Sequence, residues 1–176
     1  MGKRLGREFF ERPAEIVAEQ LLGKVICCRM DGQTTRYWIV ETEAYGGEDD
    51  SACYGVDANG HVIPHYTGKA SPLFESGGTL CVFADMLLIA CDREGTPANV
   101  LVRAAASAGQ WIEGPVNVCD YLGISGDVSG KDISTCEELW IEEPEEIPAC
   151  VKTQRYYLGQ GVRESDRERP WRFRKL

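Results

Sequence analysis

The segment Trp38-Ile39-Val40-Glu41-Thr42-Glu43-Ala44-Tyr45 puts two carboxylates and a phenol at alternate positions. Side chains on a strand point to opposite faces in turn, so Glu41, Glu43 and Tyr45 share one face. A carboxylate thus stands beside a large flat ring. Farther along, Val100-Leu101-Val102-Arg103-Ala104 embeds an arginine in an apolar strand. A guanidinium there needs an anionic partner or an open cleft. The residues leave two readings open. Glu43 and Arg103 form a structural ion pair or simply face solvent. Otherwise, Glu43 is a base held ionised by a nearby cation, with Tyr45 as an aromatic platform for a planar substrate.

These residues need elements to hold them. Ala14, Val17, Ala18, Leu21 and Leu22 follow helical spacing, with Pro13 in the first turn and Gly23 as the stop. A hairpin is predicted next, Lys24–Met30 and Thr34–Tyr45 about a turn at Asp31-Gly32. Residues 46–76, rich in Gly, Asp, Ser and Pro, read as a long loop, and so long a loop within one domain is usually functional. A second hairpin follows, Thr79–Phe83 and Leu87–Cys91, joined near Ala84-Asp85-Met86. Asn99–Ala104 reads as a strand, Pro115–Leu122 as a short helix closed by Gly123, and Leu139–Glu142 and the region around Val151 as further strands. Helices and hairpins without β-α-β alternation give an α+β fold, expected as one compact domain over residues 1–176.

The chain of 176 residues has 43% hydrophobic and 27% charged residues and a formal net charge of −9. That balance suits a globular protein and argues against a general nucleic-acid coat or a basic membrane-surface protein. No apolar run approaches the roughly 18–20 residues that cross a bilayer, and Met1–Phe10 lacks a signal-peptide core. A cytoplasmic protein with no membrane partner is expected. The charge is uneven. Residues 1–151 carry 11 Lys+Arg against 25 Asp+Glu, while residues 152–176 carry 8 against 3, so an acidic body at −14 bears a cationic C-terminal segment at +5. That segment either pairs with the protein's own acids, for example Glu142, Glu143, Glu145 and Glu146, or makes a local phosphate contact. The eight cysteines lack a Cys-x-x-Cys pair and lie mostly among apolar neighbours, which fits reduced packing residues. His61 and His65 are separated by Pro64, which disfavours one helical face. No metal, haem or other cofactor is expected.

Several segments occur together in a diagnostic order. They are Leu5-Gly6-Arg7-Glu8-Phe9-Phe10-Glu11-Arg12-Pro13, Leu21-Leu22-Gly23-Lys24, and Ile39-Val40-Glu41-Thr42-Glu43-Ala44-Tyr45-Gly46-Gly47 with Glu48-Asp49-Asp50. Val100-Leu101-Val102-Arg103-Ala104, Gly114-Pro115, Leu122-Gly123-Ile124 and Pro170-Trp171-Arg172-Phe173 follow. Over residues 5–174 the chain resembles the alkyladenine (3-methyladenine, methylpurine) DNA glycosylases. The resemblance implies a curved, mainly antiparallel sheet with hairpins and short flanking helices. It implies a monomer that flips a damaged purine out of double-stranded DNA and hydrolyses its N-glycosidic bond with an activated water, without metal or Schiff base. Glu43 then matches the general base, Arg103 the arginine that positions the water, and Tyr45 an aromatic wall of the base pocket. Electron-rich rings suit cationic alkylated purines.

Departures from the family pattern fall in the pocket and at the DNA interface. Tyr54 stands where the family has a histidine, and it cannot titrate near neutral pH. Cys81-Val82-Phe83 replaces Tyr-Val-Tyr, so Phe83 keeps a ring and loses a hydroxyl. The hairpin that carries the intercalating wedge is shortened around Ala84–Leu88, leaving Met86 as the wedge candidate. The downstream asparagine has no clear counterpart near Cys91, and Asn117 stands near a usual lysine. Relatives tend to be basic. Here Arg163, Arg167, Arg169 and Arg172 are the candidates for the DNA backbone, and weaker, more salt-sensitive binding is expected. Two other functions stay open: a family-fold binder that recognises a base or DNA lesion without cutting, and a hydrolase of a small nucleoside.

Overall fold

The computed structural model describes residues 2–64, 66–143 and 149–176; His65, Glu145 and Glu146 lie outside them. Helix α1 (Ala14–Leu21) buries Ala14, Val17, Ala18 and Leu21, the face its spacing requires. It ends where Gly23 turns left-handed at φ 79° and donates its N–H to Ile39 O at 2.7 Å. Strands β1 (Val25–Met30) and β2 (Gln33–Tyr45) form the first hairpin, and Asp31 and Gly32, both at positive φ, make its two-residue turn. β3 (Leu80–Phe83) and β4 (Met86–Ala90) form the second. Its turn is Ala84-Asp85, also both at positive φ, so Met86 begins the returning strand and is not at the tip. β5 (Asn99–Ser107), β6 (Gln110–Glu113), α2 (Pro115–Leu122), β7 (Leu139–Glu142), β8 (Cys150–Thr153), α3 (Glu164–Arg167) and β9 (Arg172–Lys175) complete the chain. Gly123 closes α2 in the left-handed conformation.

The strands join in one antiparallel sheet in the order β3-β4-β5-β2-β1-β7, with β6 on β5, and β9 between β2 and β8. This is the curved α+β architecture expected. Strand β2 is long enough to serve several partners. Its first half pairs with β1, and its second half lies between β5 and β9. One face of the sheet packs on α1 and α2 through Ile26, Ile39, Ala44, Val100, Val102, Val118 and Leu122. Burying side chains of this size stabilises by roughly 1.5–3 kcal/mol each. Thr42, also on that face, satisfies its hydroxyl by donating to Ala18 O at 2.7 Å. The opposite face carries a smaller cluster of Ala70, Leu73, Cys81, Leu88 and Leu101, with Tyr45, Phe83 and Met86 packed against it.

Strict alternation fails at one point. Ile39 opposes Ala105 and Thr42 opposes Val102, but Glu41 between them opposes Ala104. Val40 and Arg103 have no partner across the ladder. Ile39 and Ala105 therefore join the helix-side core, while Val40 and Ala104 pack on the other side. Such irregularities re-aim side chains and frequently border functional sites. None of the eight cysteines is disulfide-bonded, and seven are buried. Burial pushes the Cys28 and Cys119 thiols up to about 12, which suits inert packing residues. Among the described residues no helix is long and apolar enough to cross a membrane, and no cluster of His, Cys, Asp and Glu is arranged to hold a metal.

Candidate active site

Strands β2 and β5 bring the sequence-predicted trio together. Arg103 donates from Nε to Glu41 Oε1 at 3.0 Å and from an Nη to Glu43 Oε2 at 3.4 Å. Its unpaired position on the ladder sets it between the two carboxylates. Tyr45 donates its hydroxyl to Glu43 Oε2 at 2.9 Å, as their shared face requires. The other oxygen of Glu43 accepts the backbone N–H of Tyr156 at 2.8 Å. Glu43 is 0% exposed, with both oxygens occupied. Burial, and then the adjacent Glu43 carboxylate, pushes the Tyr45 phenol far above its ordinary range, so it stays protonated.

Beside this trio opens a cavity of 590 Å³, within the range of roughly 300–1,000 Å³ common for small-molecule sites. Tyr45, Tyr54, Met86, Arg103, Arg172 and Tyr157 are among its lining residues. Glu43 is not. It stands one side chain back, behind Tyr45 and Arg103. Tyr54 meets Phe83 edge-on, ring centroids 4.8 Å apart, so Phe83 props a wall of the cavity from behind. Burial raises the Tyr54 phenol, which keeps it neutral too.

Glu41 is the anchor that sequence reasoning did not single out. It accepts from Arg103 and, at 2.8 Å, from Arg172 Nε, and lies 3.7 Å from Arg174 Nε. Burial alone would lower the Arg172 guanidinium, but the bond to Glu41 and the negative charges of Glu41 and Glu43 together raise it. Arg172 is buried, with its guanidinium carbon 3.9 Å from the centre of the Tyr156 ring. It belongs to the cavity rather than to an outer surface.

Arg163, Arg167 and Arg169 share none of Arg172's partners. Arg163 Nε contacts Asp166 at 2.8 Å and an Nη contacts Asp49 at 3.0 Å. Arg169 reaches the same two acids. Arg167 donates to the carbonyls of Val162 and Gly159. The cationic segment therefore pairs with the protein's own acids, but with a different set from Glu142 and Glu143, which meet Arg36 and Lys24. Its strongest tie is fully buried. Arg155 grips Asp50 through two bonds of 2.6 and 3.0 Å and also donates to Ala44 O and Asp166 O. This lock fixes the segment that delivers the Tyr156 N–H to Glu43. No sequence signal marked it, because the contact is made by a backbone N–H.

The sequence profile of the methylpurine-DNA glycosylase family matches residues 8–175. A Methanocella arvoryzae protein named "Putative 3-methyladenine DNA glycosylase" is 31% identical, with 96% of this chain and 90% of the relative covered. One of the same name from Desulfitobacterium hafniense is 31% identical over 97% and 94%. A third, from Chlorobaculum parvum, is 33% identical over 83% and 76%. With a profile match over nearly its whole length, relatives above 30% identity and a curved antiparallel sheet, the chain belongs to the methylpurine-DNA glycosylase family.

Proposed function

We propose that the protein excises alkylated or deaminated purines, such as 3-methyladenine, 7-methylguanine and hypoxanthine, from double-stranded DNA. It acts as a monofunctional glycosylase. The observation that carries this reading is the buried Glu43, bonded to Arg103 and Tyr45 at the wall of an aromatic cavity. The flipped base stacks against Tyr45 and Tyr54, with Phe83 behind. A cavity water attacks C1′ of the deoxyribose, and the glycosidic electron pair leaves with the base. The water's proton passes to the Tyr45 oxygen as the Tyr45 proton passes to Glu43, because Tyr45 separates that carboxylate from the cavity. Arg103 and the Tyr156 N–H hold the carboxylate in place, and its charge stabilises the cationic sugar in the transition state. No lysine lines the described cavity, in keeping with a water nucleophile rather than a Schiff base.

The test is a panel of duplexes carrying the three lesions, with abasic sites scored by alkali cleavage. Release from at least one is expected. Glu43→Gln should abolish it and spare lesion binding, because the shape remains and the base is gone. Binding without release from any duplex would mark a recognition protein. Release from free nucleosides alone would mark a small-molecule hydrolase.

A further inference from the structure

Flipping a nucleotide leaves a hole in the duplex, and enzymes that flip commonly fill it with a side chain. The β3–β4 hairpin is poorly equipped to do so here. Its tip is Ala84-Asp85, a methyl and a carboxylate, and the carboxylate repels phosphate. Met86 is half-buried against the cluster formed by Leu88 and Leu101.

Tyr157 offers the opposite properties. It is 94% exposed, while the neighbouring Tyr156 N–H and Arg155 side chain hold its backbone to Glu43 and Asp50. Its ring lines the mouth of the cavity, 5.9 Å from the Arg103 guanidinium carbon and edge-on to Tyr156 at 6.0 Å. Its φ is +54°, a left-handed conformation that suits glycine and strains other residues. Glycine here would relieve the backbone, and a ring this exposed buries little apolar surface in return for the strain. Strain of this kind persists chiefly where function uses it.

We propose that Tyr157 is the residue that enters the duplex and stacks in the space vacated by the flipped nucleotide, the role the shortened hairpin cannot fill. This rests on the glycosylase reading above. A tyrosine suits the position because an aromatic face stacks on any flanking base, and its rigid anchor sets the ring beside the cavity that receives the extruded one.

Tyr157→Gly tests this without threatening the fold, since it relieves the positive φ. Its thermal midpoint should equal or exceed that of the parent protein. Excision from a lesion duplex should fall about 10- to 100-fold in kcat/KM, the loss of one base-stacking contact. Excision of the same lesion from single-stranded DNA, where no neighbour must be held apart, should fall by much less than excision from the duplex, and Tyr157→Phe should restore duplex activity. An equal loss on both substrates, or none on the duplex, overturns the proposal. A second readout separates it from the glycosylase reading. 2-Aminopurine beside the lesion should be dimmer in the saturated complex with the parent protein, whose Tyr157 ring stacks on it, than in the complex with Tyr157→Gly, whether or not the base is released. Emission that is the same with both proteins, or lower with Tyr157→Gly, overturns the wedge. Absent base release with that difference intact overturns only the chemistry.

Discussion

Replacing Asp50 by asparagine should destabilise the protein more than any surface change. The Asp50 carboxylate is fully buried, and it accepts both Arg155 bonds and the N–H groups of Gly46 and Ala52. The substitution leaves a guanidinium with no exposed side-chain surface and no counter-charge, its Nε already without a partner. Breaking a buried ion pair by removing one partner costs about 3–5 kcal/mol. A chain of this size loses roughly 2–4 °C of midpoint per kcal/mol, so the fall should be on the order of 10 °C. The assay is thermal unfolding at neutral pH followed by circular dichroism. The double variant Asp50→Asn/Arg155→Met should recover much of the loss, because the stranded charge is then gone. A single variant within about 2 °C of the parent, or a double variant worse than the sum of the singles, would refute the argument that this pair is what locks the C-terminal segment.

Other predictions address the site. Tyr45→Phe keeps the stacking ring and removes the relay hydroxyl, so turnover should fall by about 100-fold with lesion affinity little changed; full activity would mean that water reaches Glu43 directly. Tyr54→His should raise or broaden excision across the lesion panel, and an unchanged profile would show that this position does not limit it. Asp166, held down at about 2 by Arg163 and Ser51 despite the opposing effect of burial, has a depressed folded pKa. Its contribution is therefore complete above the unfolded value near about 4 and lost as pH falls from there through about 2, a slope that Asp166→Asn should flatten in acid unfolding curves. Internal pairing of Arg163, Arg169 and Arg172 also revises the expected salt response. Binding should be weak, but with few phosphates contacted the log–log salt slope should be no steeper than about −3; a slope near about −8 would show those arginines released to DNA.

Strand periodicity made the Glu41–Glu43–Tyr45 face legible, and the glycine and proline punctuation marked α1, α2 and the first hairpin. The failures of sequence reasoning share a cause. Period-two alternation assigns Ile39 to the face of Glu41, yet the ladder irregularity returns Ile39 to the helix-side core. Nothing local in the chain announces this, because it depends on how β2 meets β5. The partners of the cationic segment were likewise hidden. Arg155 finds Asp50, and Arg172 finds Glu41, across more than 100 residues of chain. Charge counts gave the sign of that pairing and not its address. Tyr156 contributes a backbone N–H, which every residue but proline owns, so its side-chain identity carried no signal.

The irregularity between β2 and β5 has the character of a closed lattice defect. One residue is extra on each strand, Val40 and Arg103, and the two offsets cancel: the register on the far side, Thr42 opposite Val102, is the same as that at Ile39 opposite Ala105. The disturbance therefore does not propagate into the rest of the sheet. It frees an arginine from the ordinary geometry of a strand just where two carboxylates need a cation, and leaves the frame on either side indifferent to it. Chemistry at that point can change without the scaffold around it losing step.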